Sequence, residues 1–139
     1  MFAKILTAND GSDGAFKAFG VALDLAVLCQ SELHMVCVEE VPYLPTTIDE
    51  VVEQEDEEKR RFAPVIERAR KLAALRGVTV AVHEVAGHPV RTIVEMVEAQ
   101  RFGLLVIGFH GHAAIYERLI GGTADRLVRM AQTAVLVVK

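Results

Sequence analysis

The chain has 139 residues, 52% of them hydrophobic, with a formal net charge of −4 and a pI near 5.7. That length suits one domain with a sizeable core, expected over residues 1–139, and an acidic balance gives no footprint for nucleic acid or a membrane surface. Two cysteines, Cys29 and Cys37, are too few for a disulfide scaffold, no apolar run approaches the roughly 18 residues of a membrane span, and Met1–Thr7 lacks the leader of an exported protein, so a cytoplasmic location is expected.

Five short β-branched runs alternate with helical patterns. The first strand is expected over Ala3–Ala8, followed by Asn9-Asp10-Gly11-Ser12. Ser12 or Asp13 can then cap a helix over Asp13–Cys29, whose Ala15, Ala18, Phe19, Ala22, Leu23, Leu25, Ala26 and Leu28 make a wide apolar face. A second strand is expected over Glu32–Val38, and a loop with two prolines over Glu39–Thr46. Thr47 and Glu50 have capping-box spacing for a helix over Thr47–Arg76. Its acidic opening, Asp49–Glu58, followed by Lys59-Arg60-Arg61, reads as a solvated face that suits the helix dipole. Pro64 should kink or split this helix near Arg61–Ala63, and Gly77 should end it. The third strand is expected over Thr79–Val85, and Pro89 suits the first position of a helix over Pro89–Gln100. A fourth strand over Leu104–Ile107, a helix over Gly122–Ala131 and a fifth strand over Ala134–Val138 complete the pattern. Apolar strands such as Leu104–Ile107 and Val135–Val138 belong to sheets covered on both faces, and strand–helix alternation of this length is a doubly wound α/β fold.

Between the fourth strand and the last helix stand Gly108-Phe109-His110-Gly111 and, nine residues on, Gly121-Gly122-Thr123. Glycines let a ligand approach backbone N–H groups closely, and the N-terminus of the next helix adds donors and partial positive charge. A glycine pair alone reads as a tight turn; three glycines and a hydroxyl at a strand-to-helix junction point to an anion site. In open α/β sheets the ligand crevice lies beyond the carboxyl ends of the strands, where the winding reverses. With strand order 3-2-1-4-5, that crevice brings the Asp10 turn to the Gly108 loop. From spacing alone, Asp10 serves equally as a cap or Asx turn and as an acceptor for sugar hydroxyls.

Asp10-Gly11-Ser12, Leu33–Val38, Gly87-His88-Pro89, the pattern Gly108-x2-Gly111-x9-Gly121 and the closing Val135–Val138 run together resemble the universal stress protein family over essentially the whole chain. The resemblance implies a single five-stranded parallel sheet of order 3-2-1-4-5 with helices on both faces, of the adenine nucleotide alpha hydrolase-like type. It implies ATP or another adenine nucleotide as ligand, with or without Mg. Asp10 would hold the ribose, Ala8 and Asn9 would flank the adenosine, and Val38 would meet adenine through its backbone. Gly108, His110, Gly111, Gly121, Gly122 and Thr123 would contact phosphates. Three positions depart from the family pattern: Gly122 stands where Ser or Thr is usual, Ala8 where Pro is frequent, and Phe109 where a small residue is common. The resemblance also implies a homodimer through the edge strand Ala134–Val138.

Nothing in the loop resembles a dedicated catalyst, and the P-loop lysine is absent. A binding module with at most slow hydrolysis is expected, without catalytic residues or a resident metal. The alternative is a stress protein that binds no nucleotide and acts as a dimeric interaction module. A phosphoacceptor receiver fits Asn9-Asp10, but the third strand ends in Glu84-Val85 without an acceptor Asp. His34 and His83 can be neighbours on adjacent strands, while His110 and His112 lack the partners of a zinc site. Arg118, Arg126 and Arg129 are the cations nearest the loop in sequence, the latter two read as surface pairs, and Cys37 reads as a small core residue.

Overall fold

Side chains that alternate between two apolar surfaces along a strand can be satisfied only if helices cover both faces of the sheet. The computed structural model describes residues 2–40, 48–109 and 122–139 and shows this arrangement. The elements run β1 (Lys4–Ala8), α1 (Asp13–Cys29), β2 (Glu32–Glu39), α2 (Ile48–Leu75), β3 (Val80–Ala86), α3 (Pro89–Ala99), β4 (Leu104–Gly108), α4 (Thr123–Met130) and β5 (Ala134–Val138). They form a five-stranded sheet in the order β3-β2-β1-β4-β5, the order that the resemblance implies. Every neighbouring pair is parallel.

One face of the sheet packs Ile5, Leu33, Met35, Cys37 and Val106 against Phe16, Phe19 and Ala22 of α1 and Phe62, Ile66, Ala69 and Ala73 of α2. The other packs Leu6, Val36, Leu105 and Ile107 against Val90, Ile93 and Val97 of α3 and Leu127 of α4. Odd positions of β1 thus serve one core and even positions the other, the period-2 rule of a strand.

Local signals act where the sequence placed them. The Ser12 hydroxyl accepts a hydrogen bond from the Ala15 N–H at 3.1 Å and caps α1. Pro89 opens α3 after His88. At the end of α2 the N–H groups of Gly77 and Val78 donate to the carbonyls of Ala74 and Ala73, the paired bonds of a Schellman stop. Pro64 is a correction: it lies inside an uninterrupted α2 and does not split it. Phe62 before it and Ile66, Ala69 and Ala73 after it are all buried in the same core, which anchors both halves of the helix to the sheet. The loop over Glu39–Thr46 past Glu40, and the Thr47 cap, lie outside the described residues.

Candidate functional site

β1 is hydrogen-bonded to β2 on one side and β4 on the other, so the winding reverses at β1. Ala8, Val38 and Gly108 therefore all lie at the carboxyl edge of the sheet: Ala8 ends β1, Val38 is the penultimate residue of β2 and Gly108 ends β4.

The turn after β1 is built by its own side chains. Asn9 is 2% exposed; its N–H donates to the Val36 carbonyl at 2.9 Å and its side-chain amide reaches the Met35 sulfur at 3.5 Å. Its Oδ1 accepts from the Gly11 N–H at 2.9 Å, and Asp10 Oδ1 accepts from the Ser12 N–H at 3.0 Å. These are consecutive Asx turns, and they aim the chain into α1. Gly11 has φ +86°, and a Cβ there would stand 2.9 Å from Val65 Cγ2, so the turn needs a residue without a side chain. The Asx-turn reading of Asp10 is therefore realised in the structure, in the turn that leaves the carboxyl edge of the sheet.

Gly108 supplies the convergence. A Cβ on it would lie 2.6 Å from the Gly14 carbonyl oxygen and 2.8 Å from its carbon. Only a bare backbone lets the end of β4 approach the first turn of α1 this closely, so the Asp10 turn and the Gly108 segment share one end of the molecule. Phe109 follows, donating its N–H to the Val138 carbonyl at 2.9 Å, with Lys139 Nζ 5.5 Å from its ring centroid. Across the carboxyl edge, Gly122 is the N-cap of α4 and makes no side-chain cap bond, and Thr123 is the first helical residue; both are exposed. The other end of α4 lies at the amino edge, where Thr133 donates to the Phe102 carbonyl at 2.8 Å, so the helix N-terminus faces the carboxyl edge. His110, Gly111 and Gly121, with His112 and Arg118, lie outside the described residues.

Sequence spacing missed one residue. Arg118, Arg126 and Arg129 were the cations nearest the loop in sequence, but the guanidinium that reaches the turn belongs to Arg61 of α2, 3.3 Å from the Asp10 carbonyl oxygen. From the sequence Lys59-Arg60-Arg61 reads as part of a solvated face, and no local signal ties α2 to the first turn. Arg129 pairs with Asp125 at 3.1 Å, the surface pairing expected of it. Cys37 is fully buried, and burial pushes its thiol up to about 12, with the Glu84 and Asp10 carboxylates adding to the effect. It is a neutral packing residue at ordinary pH. Among the described residues no group of three or more His, Cys, Asp or Glu is arranged to hold a metal ion, and no helix is long and apolar enough to cross a membrane.

The polar set is thus an accepting carboxylate at the end of β1, a guanidinium donating to the main-chain carbonyl of the same residue, and main-chain N–H groups at the start of α4. Such groups fit a sugar with an attached phosphate better than an apolar ligand. The family model described as "Universal stress protein family" matches residues 1–139. Universal stress protein MJ0531 of Methanocaldococcus jannaschii is 29% identical over 147 residues, covering all of this chain and 83% of the relative. Universal stress protein YxiE of Bacillus subtilis is 28% identical over 151 residues, covering the whole of both chains. Among solved structures, universal stress protein UspA of Lactobacillus plantarum superposes with a TM-score of 0.91 at 23% identity, covering 99% of this chain and 98% of that one. A universal stress protein in complex with cAMP gives 0.79 at 24% identity, covering 99% and 97%. A family protein of Arabidopsis thaliana with AMP bound gives 0.67 at 16% identity, covering 99% and 91%. At these identities the structural likeness establishes the shared fold.

Proposed function

Because this chain belongs to the universal stress protein family, we propose that its carboxyl-edge crevice binds an adenine nucleotide and that the protein works as a regulatory binding module. The observation that carries this reading is the contact of Gly108 with the first turn of α1, which brings the Asp10 turn and the start of the glycine segment to one place. The cAMP and AMP complexes of proteins with the same fold support the ligand class. In this reading Asp10 accepts from the ribose hydroxyls, Ala8 and Asn9 flank the adenosine, and the Val38 backbone meets adenine. Main-chain donors of Gly108, His110, Gly111, Gly121, Gly122 and Thr123 take the phosphates of ATP, with or without Mg. Gly122 contributes its N–H where a hydroxyl residue is usual, and Thr123 supplies the hydroxyl one position later. Arg61, which donates to the Asp10 main-chain carbonyl, adds a cation to the ribose end.

Binding by backbone donors, without a positioned base, favours retention of ATP over turnover, so the protein is read as a binding module with at most slow hydrolysis. The whole of residues 1–139 is read as one domain, in the cytoplasm, and as a homodimer through β5. A dimeric interaction module that holds no nucleotide is the second reading, favoured by the apolar edge around Leu136, which is 37% exposed.

The experiment is to denature purified protein and identify co-released nucleotide by mass spectrometry, and to measure melting with added Mg·ATP. Stoichiometric ATP, or a stabilisation of about 2.7 kcal/mol at a hundredfold excess over Kd, supports the nucleotide reading. Asp10→Asn keeps the oxygen that accepts from Ser12 and removes the charge, so it should fold normally and lose most of the ATP-dependent shift. An empty preparation with no shift on Mg·ATP would favour the interaction module.

A further inference from the structure

On the α3 face of the sheet, away from the crevice, His34 of β2 and His83 of β3 meet side by side. His34 Nδ1 lies 2.9 Å from His83 Nε2, the ring centroids are 5.2 Å apart and the ring planes differ by 7°. The centroid separation exceeds the nitrogen separation by the two centroid-to-nitrogen radii of imidazole, so both centroids and both nitrogens fall on one line. The rings are therefore coplanar, edge to edge, with two in-plane lone-pair directions aimed at each other. That is the geometry of a linear N–H···N hydrogen bond. It does not suit a metal ion, which would need both lone pairs to converge on one point off the line between the nitrogens. One inner nitrogen carries a proton and the other accepts it.

The surroundings fix the rest. His34 Nε2 faces Glu32 Oε1 at 3.6 Å, and the edge of the Phe102 ring packs on His34 with centroids 4.9 Å apart. Lys4 Nζ, held by the Gln100 carbonyl at 2.8 Å, lies 4.7 Å from the Phe102 ring centroid. Glu32 and Lys4 are the charged groups whose contacts reach this cluster from β2 and β1; Gln100 and Phe102, which follow α3, bring no charge. A first added proton can sit on the outer His34 nitrogen beside Glu32, leaving the bridge intact. A second would set N–H against N–H at hydrogen-bond distance, and the rings would have to part.

We propose that His34 and His83 form a proton-operated latch that ties the edge strand β3 to β2, closed while the pair holds at most one added proton and opened by the second. The sign follows from the surroundings. Burial, then His34 and Lys4, hold His83 below its ordinary value. As pH falls through the ordinary histidine range of about 6.5, the unfolded chain takes up a proton that the closed pair refuses, so the tie is complete above that range and is lost through the lower folded value. This inference stands apart from the nucleotide reading and from the residues that reading uses.

The test uses the intact chain labelled with ¹⁵N. A through-hydrogen-bond ¹⁵N–¹⁵N coupling between the two rings at neutral pH is expected, with coupled titration of the pair. Amide-exchange protection in β3, corrected for intrinsic rates, should fall roughly tenfold more than in β4 between about pH 7.5 and about pH 5. In His83→Gln that extra loss should vanish. No coupling, with two independent titrations near the ordinary value, would overturn the latch whether or not the variant folds. So would equal loss of protection in β3 and β4.

Discussion

Gly108 is the residue on which the site turns, and its role is packing before it is binding. Its neighbours within 3 Å of a hypothetical Cβ are backbone atoms of Gly14, which cannot swing aside as a flexible side chain could. Gly108→Ala should therefore force β4 and α1 apart and lower stability by about 1–3 kcal/mol, read as a drop in the urea midpoint without nucleotide. An unchanged midpoint would mean that the approach of β4 to α1 relaxes without cost. Asp10 and Ser12 show the same doubling of roles, since the side chains that turn the chain into α1 also stand at the crevice edge.

Among the elements, α2 departs most from local preference. A proline in a helix interior lacks the N–H that would bond one turn back and crowds that carbonyl, at about 3 kcal/mol relative to alanine. Pro64 is exposed on α2, while Phe62 and Ile66 on either side are buried, so packing outweighs the local defect. Pro64→Ala should restore the missing bond and raise stability by about 1–3 kcal/mol, measured by thermal melting. A loss of stability instead would show that the residue shapes α2 for its seat on the sheet. The α1 stop is similar in kind: Gln30 occupies the left-handed region at φ 54°, where glycine is usual, and still ends the helix.

For the whole molecule, the two sheet edges differ in character. β3 carries His83 of the histidine pair and the exposed Glu84, whereas β5 is an apolar run with Leu136 at 37% exposure. An apolar open edge favours pairing with another chain, and a two-fold axis lets β5 pair with its own copy. Leu136→Lys places a charge in that surface without touching the core. It should convert a dimer into monomer in analytical ultracentrifugation, with the secondary structure unchanged. A wild-type chain already monomeric at micromolar concentration would remove the dimer from the reading.

The sequence by itself determined the order and kind of the elements, because strand and helix periods, the Ser12 cap, the Pro89 start and the Gly77 stop are local signals carried by a few neighbouring residues. It also marked the Asp10 turn and the Gly108 segment as ligand-capable, and placed His34 near His83, since strand adjacency follows from the winding. Tertiary structure alone decided the rest. The continuity of α2 through Pro64 depends on a core shared by both halves of the helix. Arg61 reaches the Asp10 turn only because α2 folds back over a residue 51 positions away. The head-on meeting of the two imidazoles depends on register, in which His34 pairs with Ala81 and His83 with Val36, two rows apart on one face. Such contacts are set by the packing of distant segments, and no local pattern of residues encodes a distance across the sheet.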